Sequence, residues 1–222
     1  LGQHYTSVPN ILKLIKPLFL DEFYEELEKS TTINQLYKLQ NRIAKAKFFD
    51  PACGSGNFLI ITYKELRVLE IEIIKKIIEL SDGNVLNAFA SQIKISQFYG
   101  IEIDDFAHEI ATLSLWLAEH QMNIIFEERL FEFAQVVSIL PLKSIANIVQ
   151  GNSTRLNWEY VCPISETDEV YVIGNPPFEG SRGQVENQKD DLKVVFREDY
   201  KNLDYVSAWF YKGVQYIENK MW

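Results

Sequence analysis

Apolar residues recur at Ile11, Leu14, Ile15, Leu18 and Phe19, then at Leu36, Leu39 and Ile43. This is the spacing of one helical face, and it predicts helix over residues 8–45. The burst Lys47-Phe48-Phe49-Asp50 predicts a short strand that stops at the Pro51 to Gly56 turn. A second helix is expected over residues 57–80, ended by Ser81-Asp82-Gly83-Asn84. Strands are expected at residues 98–103, 148–149 and 170–173, and helices at 105–120, 185–196 and 205–219. Trp116 with Leu113 and Leu117 reads as the core face of the 105–120 helix. Tyr205, Trp209 and Tyr216 read as a core-facing aromatic edge of the last one.

Strands alternating with helices imply an α/β fold: a parallel sheet with helices on both faces, preceded by a helical segment at residues 1–46. Residues 47–222 would form the domain itself. Ligands in such sheets bind at the carboxyl ends of the strands, near the switch in strand order. The chemically unusual residues of this chain all fall at expected strand ends.

Composition changes this picture in one respect. The 222 residues, 47% hydrophobic and 24% charged, suit one large globular domain. The formal charge of −9, however, argues against a broad electrostatic grip on a polyanion. A nucleic-acid substrate would then need a separate recognition domain. No apolar run approaches the length of a membrane span, and the opening residues lack the apolar core of a signal peptide. Cys53 and Cys162 supply no disulfide framework, which suits the cytoplasm. Cys53 reads as a small packing residue. His4, His108 and His120 show no metal-ligand spacing with the cysteines, so no metal site is expected.

The strongest local signal is Asp50-Pro51-Ala52-Cys53-Gly54-Ser55-Gly56-Asn57. Gly54 and Gly56 permit a sharp turn and close approach of a ligand, and the following helix presents unpaired N–H groups. A dinucleotide fold would place a third glycine where Leu59 stands. Asp50 would repel a phosphate and suits a cationic ligand end. In Gly100-Ile101-Glu102-Ile103, Glu102 at a strand end can accept both hydroxyls of a ribose, with Ile103 against an adenine face. Gly151-Asn152-Ser153 lies at the third strand end. Asn152 could read an adenine edge there, or simply form a turn.

Asn175-Pro176-Pro177-Phe178 is the most telling segment. Two prolines stiffen the loop and remove two N–H donors. An exocyclic NH₂ could then give one hydrogen to the Asn175 side-chain oxygen and one to the Pro176 carbonyl, favouring positive charge as it develops on nitrogen. Phe178 offers a ring on which a base can stack, and Pro177 completes the rigid loop.

In this order the motifs resemble the amino-methylating class I S-adenosylmethionine-dependent DNA methyltransferases, the group whose target-recognition domain comes last. In that family Asp50 to Gly56 matches the glycine motif, Glu102 the ribose-binding acid, and Asn175 to Phe178 the catalytic tetrapeptide. The opening Gly2-Gln3-His4-Tyr5-Thr6-Ser7 is similar to a segment that contacts the cofactor's methionine end, which implies cofactor roles for Tyr5 and Thr6. Gly180-Ser181-Arg182 and Leu203 to Trp209 are similar to large single-chain enzymes that fuse nuclease and methylase. The resemblance implies a Rossmann-like fold and methyl transfer from S-adenosylmethionine to adenine N6 in double-stranded DNA, within a restriction-modification system. It also implies a recognition domain outside these residues, because the chain ends at Trp222, soon after the catalytic loop. Asn152 departs from the family's frequent Asp. Two other readings use the same residues: methylation of a protein glutamine amide or of guanine N2 in ribosomal RNA, and a truncated, non-catalytic module of a restriction complex.

Overall fold

The computed structural model describes residues 6–81, 89–131 and 146–218. Four parallel strands, β1 (Lys47–Asp50), β2 (Phe98–Glu102), β3 (Asn147–Gln150) and β4 (Val170–Val172), form a sheet in the order β3-β2-β1-β4. The strand order therefore reverses between β1 and its two neighbours. That is the position where open α/β sheets hold ligands.

Period-two alternation along β1 builds a core on each face. Phe48 points to a cluster containing Ile11, Ile15, Phe19, Tyr63 and Phe98; Phe49 points to the opposite one, with Trp158, Leu192, Trp209 and Tyr216. Helices α1 (Val8–Ile15), α2 (Asp21–Lys29), α3 (Ile33–Lys45), α4 (Asn57–Leu80) and α5 (Asp105–Leu130) precede β3 in the chain. The short α6 (Trp158–Val161), α7 (Glu186–Phe196) and α8 (Ser207–Glu218) follow it, and their aromatics serve the Phe49 side. The N-terminal helices share the first core: the Phe19 ring lies 5.2 Å from Phe48 and 4.7 Å from Tyr171.

The helix expected over residues 8–45 is three helices. A π-helical stretch, Lys16–Leu20, follows α1, with Pro17 inside it. Proline has no N–H for the regular ladder, so the backbone absorbs an extra residue. The second break lies at residues 30–32. Thr32 caps α3 reciprocally with Gln35: the Gln35 N–H donates to Thr32 Oγ1 at 3.3 Å, and the Thr32 N–H donates to Gln35 Oε1 at 3.0 Å. Thr-x-x-Gln is the signature of such a capping box.

Helix α5 continues ten residues past the expected end at His120, burying Met122, Phe126 and Leu130. Its core face is also different from the one expected. Leu113, Trp116 and Leu117 are 51%, 43% and 53% exposed, while Ala107, Ala111, Leu115 and Ala118 face inward. Small residues are needed there because α5 crosses close under the glycine turn. A Cβ on Gly56 would stand 3.2 Å from the Ala111 Cβ. The aromatic residues expected on the last helix are buried, Trp209 and Tyr216 on α8 and Tyr205 just before it begins. Residues 82–84, the expected end signal of α4, and Asn219 lie outside the described residues. No helix among the described residues is long and apolar enough to cross a membrane.

Candidate active site

The turn leaving β1 is shaped by two left-handed glycines, Gly54 with φ 54° and Gly56 with φ 85°. It is docked onto β2 at two points: the Cys53 N–H donates to the Ile101 carbonyl at 3.0 Å, and the Gly54 N–H to Glu102 Oε2 at 2.7 Å. The other Glu102 oxygen accepts from the Asp104 N–H at 2.9 Å. Two backbone donors thus hold this half-buried carboxylate at the end of β2. Lone pairs remain on it for further donors. Ile103 and Phe106, just beyond, expose large apolar surfaces. Trp209 braces the turn from below, its indole N–H donating to the Pro51 carbonyl at 3.1 Å.

Asp50 is buried at the tip of β1. Its Oδ1 accepts from the Ala52 N–H at 3.0 Å. Burial pushes its carboxyl up to about 7; the Ala52 N–H opposes the rise and the Glu102 charge adds to it. Burial also raises the Cys53 thiol, with Asp50 and Glu102 contributing, so this cysteine is an inert packing group.

Beside β1, β4 ends at Val172 and the chain runs on through Gly174 into the proline loop. The Ile173 N–H donates to the Phe49 carbonyl at 2.8 Å, which sets the loop and the glycine turn on the same edge of the sheet. Asn175 and Phe178 are exposed above this edge. Asn175 Nδ2 donates to Thr6 Oγ1 at 3.2 Å, and Asn57 Nδ2, at the start of α4, donates to the Thr6 carbonyl at 3.2 Å. Thr6 therefore joins the proline loop to the helix that follows the glycine turn. The loop's exit is fixed too: the Glu179 N–H donates to Asp204 Oδ1 at 3.1 Å, and the Tyr205 N–H to the Glu179 carbonyl at 2.9 Å.

The loop after β3 adjoins the same edge, since the Gly151 N–H donates to the Glu102 carbonyl at 2.7 Å. Here Asn152 takes part in a turn, one of the two readings that its sequence left open. Asn152 Oδ1 accepts from the Thr154 N–H and hydroxyl, and its amide nitrogen donates to both oxygens of Asp191 at 3.0 Å. Asn152 in this arrangement organises the loop after β3. The Ser153 hydroxyl is buried without a hydrogen-bond partner among the described residues. Burial lowers the Lys212 ammonium to about 8, and it donates to the carbonyls of Ser153, Thr154 and Leu156. Among the described residues no group of three or more His, Cys, Asp or Glu side chains is placed to hold a metal. Tyr5 and His4 lie outside the described residues.

Asp191 escaped the sequence reading. It is buried on α7 and accepts from Asn152, from Arg155 Nε at 2.8 Å and from the Tyr205 hydroxyl at 2.7 Å. Helical phase was the available signal, because Gln188, Asp191 and Leu192 share one buried face. Lys212, Asp204 and Trp209 were missed as supports of the site for a different reason: their partners are distant backbone groups.

A parallel sheet of this order, with a glycine turn, an acidic strand end and a stiff proline loop on one edge, is the architecture of a Rossmann-like methyltransferase domain. The chain matches the family described as "MmeI, DNA-methyltransferase domain" over residues 25–222, and it belongs to that family. It is 53% identical over 220 residues to DNA methyltransferase A of Bacillus subtilis (strain 168), covering 97% of this chain and 24% of that protein. A putative type II restriction enzyme and methyltransferase of Methanocaldococcus jannaschii is 36% identical over 102 residues, 45% of this chain and 8% of that one. The solved structure of the type IIL restriction-modification enzyme MmeI in complex with DNA superposes with a TM-score of 0.87 at 43% identity. That match covers 97% of this chain and 29% of the MmeI chain. The chain thus spans about a quarter of the length of the Bacillus relative.

Proposed function

We propose that this domain transfers a methyl group from S-adenosylmethionine to the N6 of adenine in DNA, as part of a restriction-modification enzyme. One observation carries the reading: Asn175 stands on the same sheet edge as the glycine turn, tied through Thr6 to Asn57. On this reading the acceptor for a flat amine and the residues that would hold a methyl donor lie on one edge of the sheet.

The residues present fit that donor. Asp50 is a carboxyl whose burial raises its proton affinity, and the ammonium or sulfonium end of S-adenosylmethionine nearby would favour its charged form. Glu102 is pre-positioned by two N–H groups to accept ribose hydroxyls, and the exposed Ile103 offers an apolar surface for the adenine. When bound, the cofactor supplies an electrophilic methyl on sulfur. Asn175 Oδ1 and the Pro176 carbonyl would accept the two amine hydrogens, and Phe178 would stack a base taken out of the duplex at a cost of about a few kcal/mol. Fixing both partners in line can remove several of the roughly 7–11 kcal/mol available from proximity.

The formal charge of −9 supports a reading in which much of the grip on the phosphate backbone comes from another part of the polypeptide. The share of the relatives that the chain covers leaves room for recognition and nuclease domains in the same polypeptide. Unpaired Cys53 and Cys162 suit the cytoplasm.

The test uses the full-length protein with labelled S-adenosylmethionine and unmethylated genomic DNA, followed by nucleoside analysis. Labelled N6-methyladenine is expected, and Asn175→Ala should abolish it while cofactor binding survives. Label recovered only in guanine or in protein would overturn the proposal.

A further inference from the structure

Asparagine is a two-faced ligand. Its oxygen and its NH₂ have nearly the same shape, and a half-turn of the carboxamide exchanges them. An asparagine that must accept a hydrogen from a substrate amine has to present the oxygen; presenting the NH₂ would set donor against donor. Something in the protein must therefore hold the carboxamide in place, and the two residues that follow Asn175 cannot donate to it, since Pro176 and Pro177 have no N–H to give.

Among the described residues the Asn175 side chain finds its hydrogen-bond partner at the far end of the sequence, in Thr6, whose Oγ1 accepts from Asn175 Nδ2 at 3.2 Å. Thr6 is itself held, because Asn57 Nδ2 donates to its carbonyl at 3.2 Å. A β-branched residue has few χ1 choices, so a fixed backbone leaves the hydroxyl few directions. With its NH₂ engaged on the Thr6 side, the Asn175 carboxamide leaves its oxygen on the other. Asn57 begins the helix that Gly56 caps, so the same tie also sets the amide relative to the glycine turn.

We infer that Thr6 is a positioning residue for the methyl transfer: its hydroxyl holds the Asn175 amide so that the oxygen faces the amine to be methylated. This rests on reading Asn175 as the acceptor of that amine. It gives the opening segment a part in turnover, separate from the cofactor contact that the family resemblance implies for Thr6.

The test is a set of variants of the full-length protein, assayed with unmethylated genomic DNA at saturating S-adenosylmethionine, with cofactor affinity measured by calorimetry. Thr6→Val keeps the shape and the stiff χ1 but removes the acceptor. At saturating S-adenosylmethionine it should lower kcat about tenfold, the size of one lost orienting hydrogen bond, in addition to any change in the cofactor Kd. Thr6→Ser should recover most of the rate. Thr6 is only half-buried, and the melting temperature of each variant checks that the fold is intact. Unchanged kcat in Thr6→Val overturns the inference. So does a loss confined to cofactor Kd, or a Thr6→Ser variant as slow as Thr6→Val. Asn175→Ala separates the two levels: if it still turns over, the methyl-transfer reading itself falls; if it is dead while Thr6→Val is fully active, only the role of Thr6 falls.

Discussion

Gly174 rests against the carboxyl group of Asp50. A Cβ at position 174 would stand 2.4 Å from Asp50 Oδ1, on a backbone whose φ of 149° side chains rarely adopt. The entrance to the proline loop and the tip of the central strand are thereby in contact, and one substitution probes both.

Gly174→Ala should destabilise the protein by about 2–4 kcal/mol, from backbone strain and overpacking together. It should also slow methylation more than it weakens cofactor binding, since the displaced element carries Asn175. Urea unfolding and steady-state kinetics would show this, and wild-type stability would contradict the close approach.

Asp50 should make stability depend on pH. Its folded-state affinity for a proton is raised, to about 7 from the ordinary 3.8. The protonated form is favoured by folding, so its contribution is complete below pH 3.8 and is lost as pH rises through 7. Asp50→Asn should therefore stabilise the ligand-free protein at pH 8 by on the order of 2–4 kcal/mol, an advantage that shrinks toward pH 4. A bound cation would draw the carboxyl back down, so binding near pH 6.5 should release a proton. Calorimetry in buffers of different ionisation enthalpy measures that release. Proton uptake would remove Asp50 from the cofactor's charged end.

Glu102 is held by the Gly54 and Asp104 N–H groups. Glu102→Gln keeps one acceptor oxygen and gives up the charge, and Glu102→Ala gives up both. Cofactor Kd should rise in that order, by roughly tenfold and then more, with kcat at saturation less affected. An unaltered Kd in the alanine variant would exclude a ribose contact.

Asp191 accepts from Asn152, Arg155 and Tyr205 while buried. Asp191→Ala should cost about 3–5 kcal/mol because it strands three donors, and Tyr205→Phe only about 1 kcal/mol. Thermal and urea unfolding would rank them. Equal effects would mean that the carboxylate is not the hub.

Much of the fold was legible because its signals are local. Phe48-Phe49-Asp50 followed by two glycines encodes strand, turn and helix within a dozen residues, and the strands that flank β1 stand out as apolar bursts. What escaped depended on tertiary geometry. The inner face of α5 is alanine-rich because it must pass beneath Gly56, so its largest apolar residues, Leu113, Trp116 and Leu117, sit outside and mislead a search for the hydrophobic stripe. Asp191 hides in the run Lys189-Asp190-Asp191, which looks like a solvated surface. The tie between Thr6 and Asn175 spans 169 positions, beyond the reach of any local pattern. The π-helical stretch at Pro17 was signalled only by a proline that could equally have ended a helix.

The contact between Gly56 and Ala111 bears on redesign. Two of the smallest residues meet beneath the glycine turn, so, on the proposed reading, room for a bulkier methyl-donor analogue is not gained by carving downward. The open rim at Ile103 and Phe106 is free of that constraint, and a library aimed at synthetic cofactors would start there.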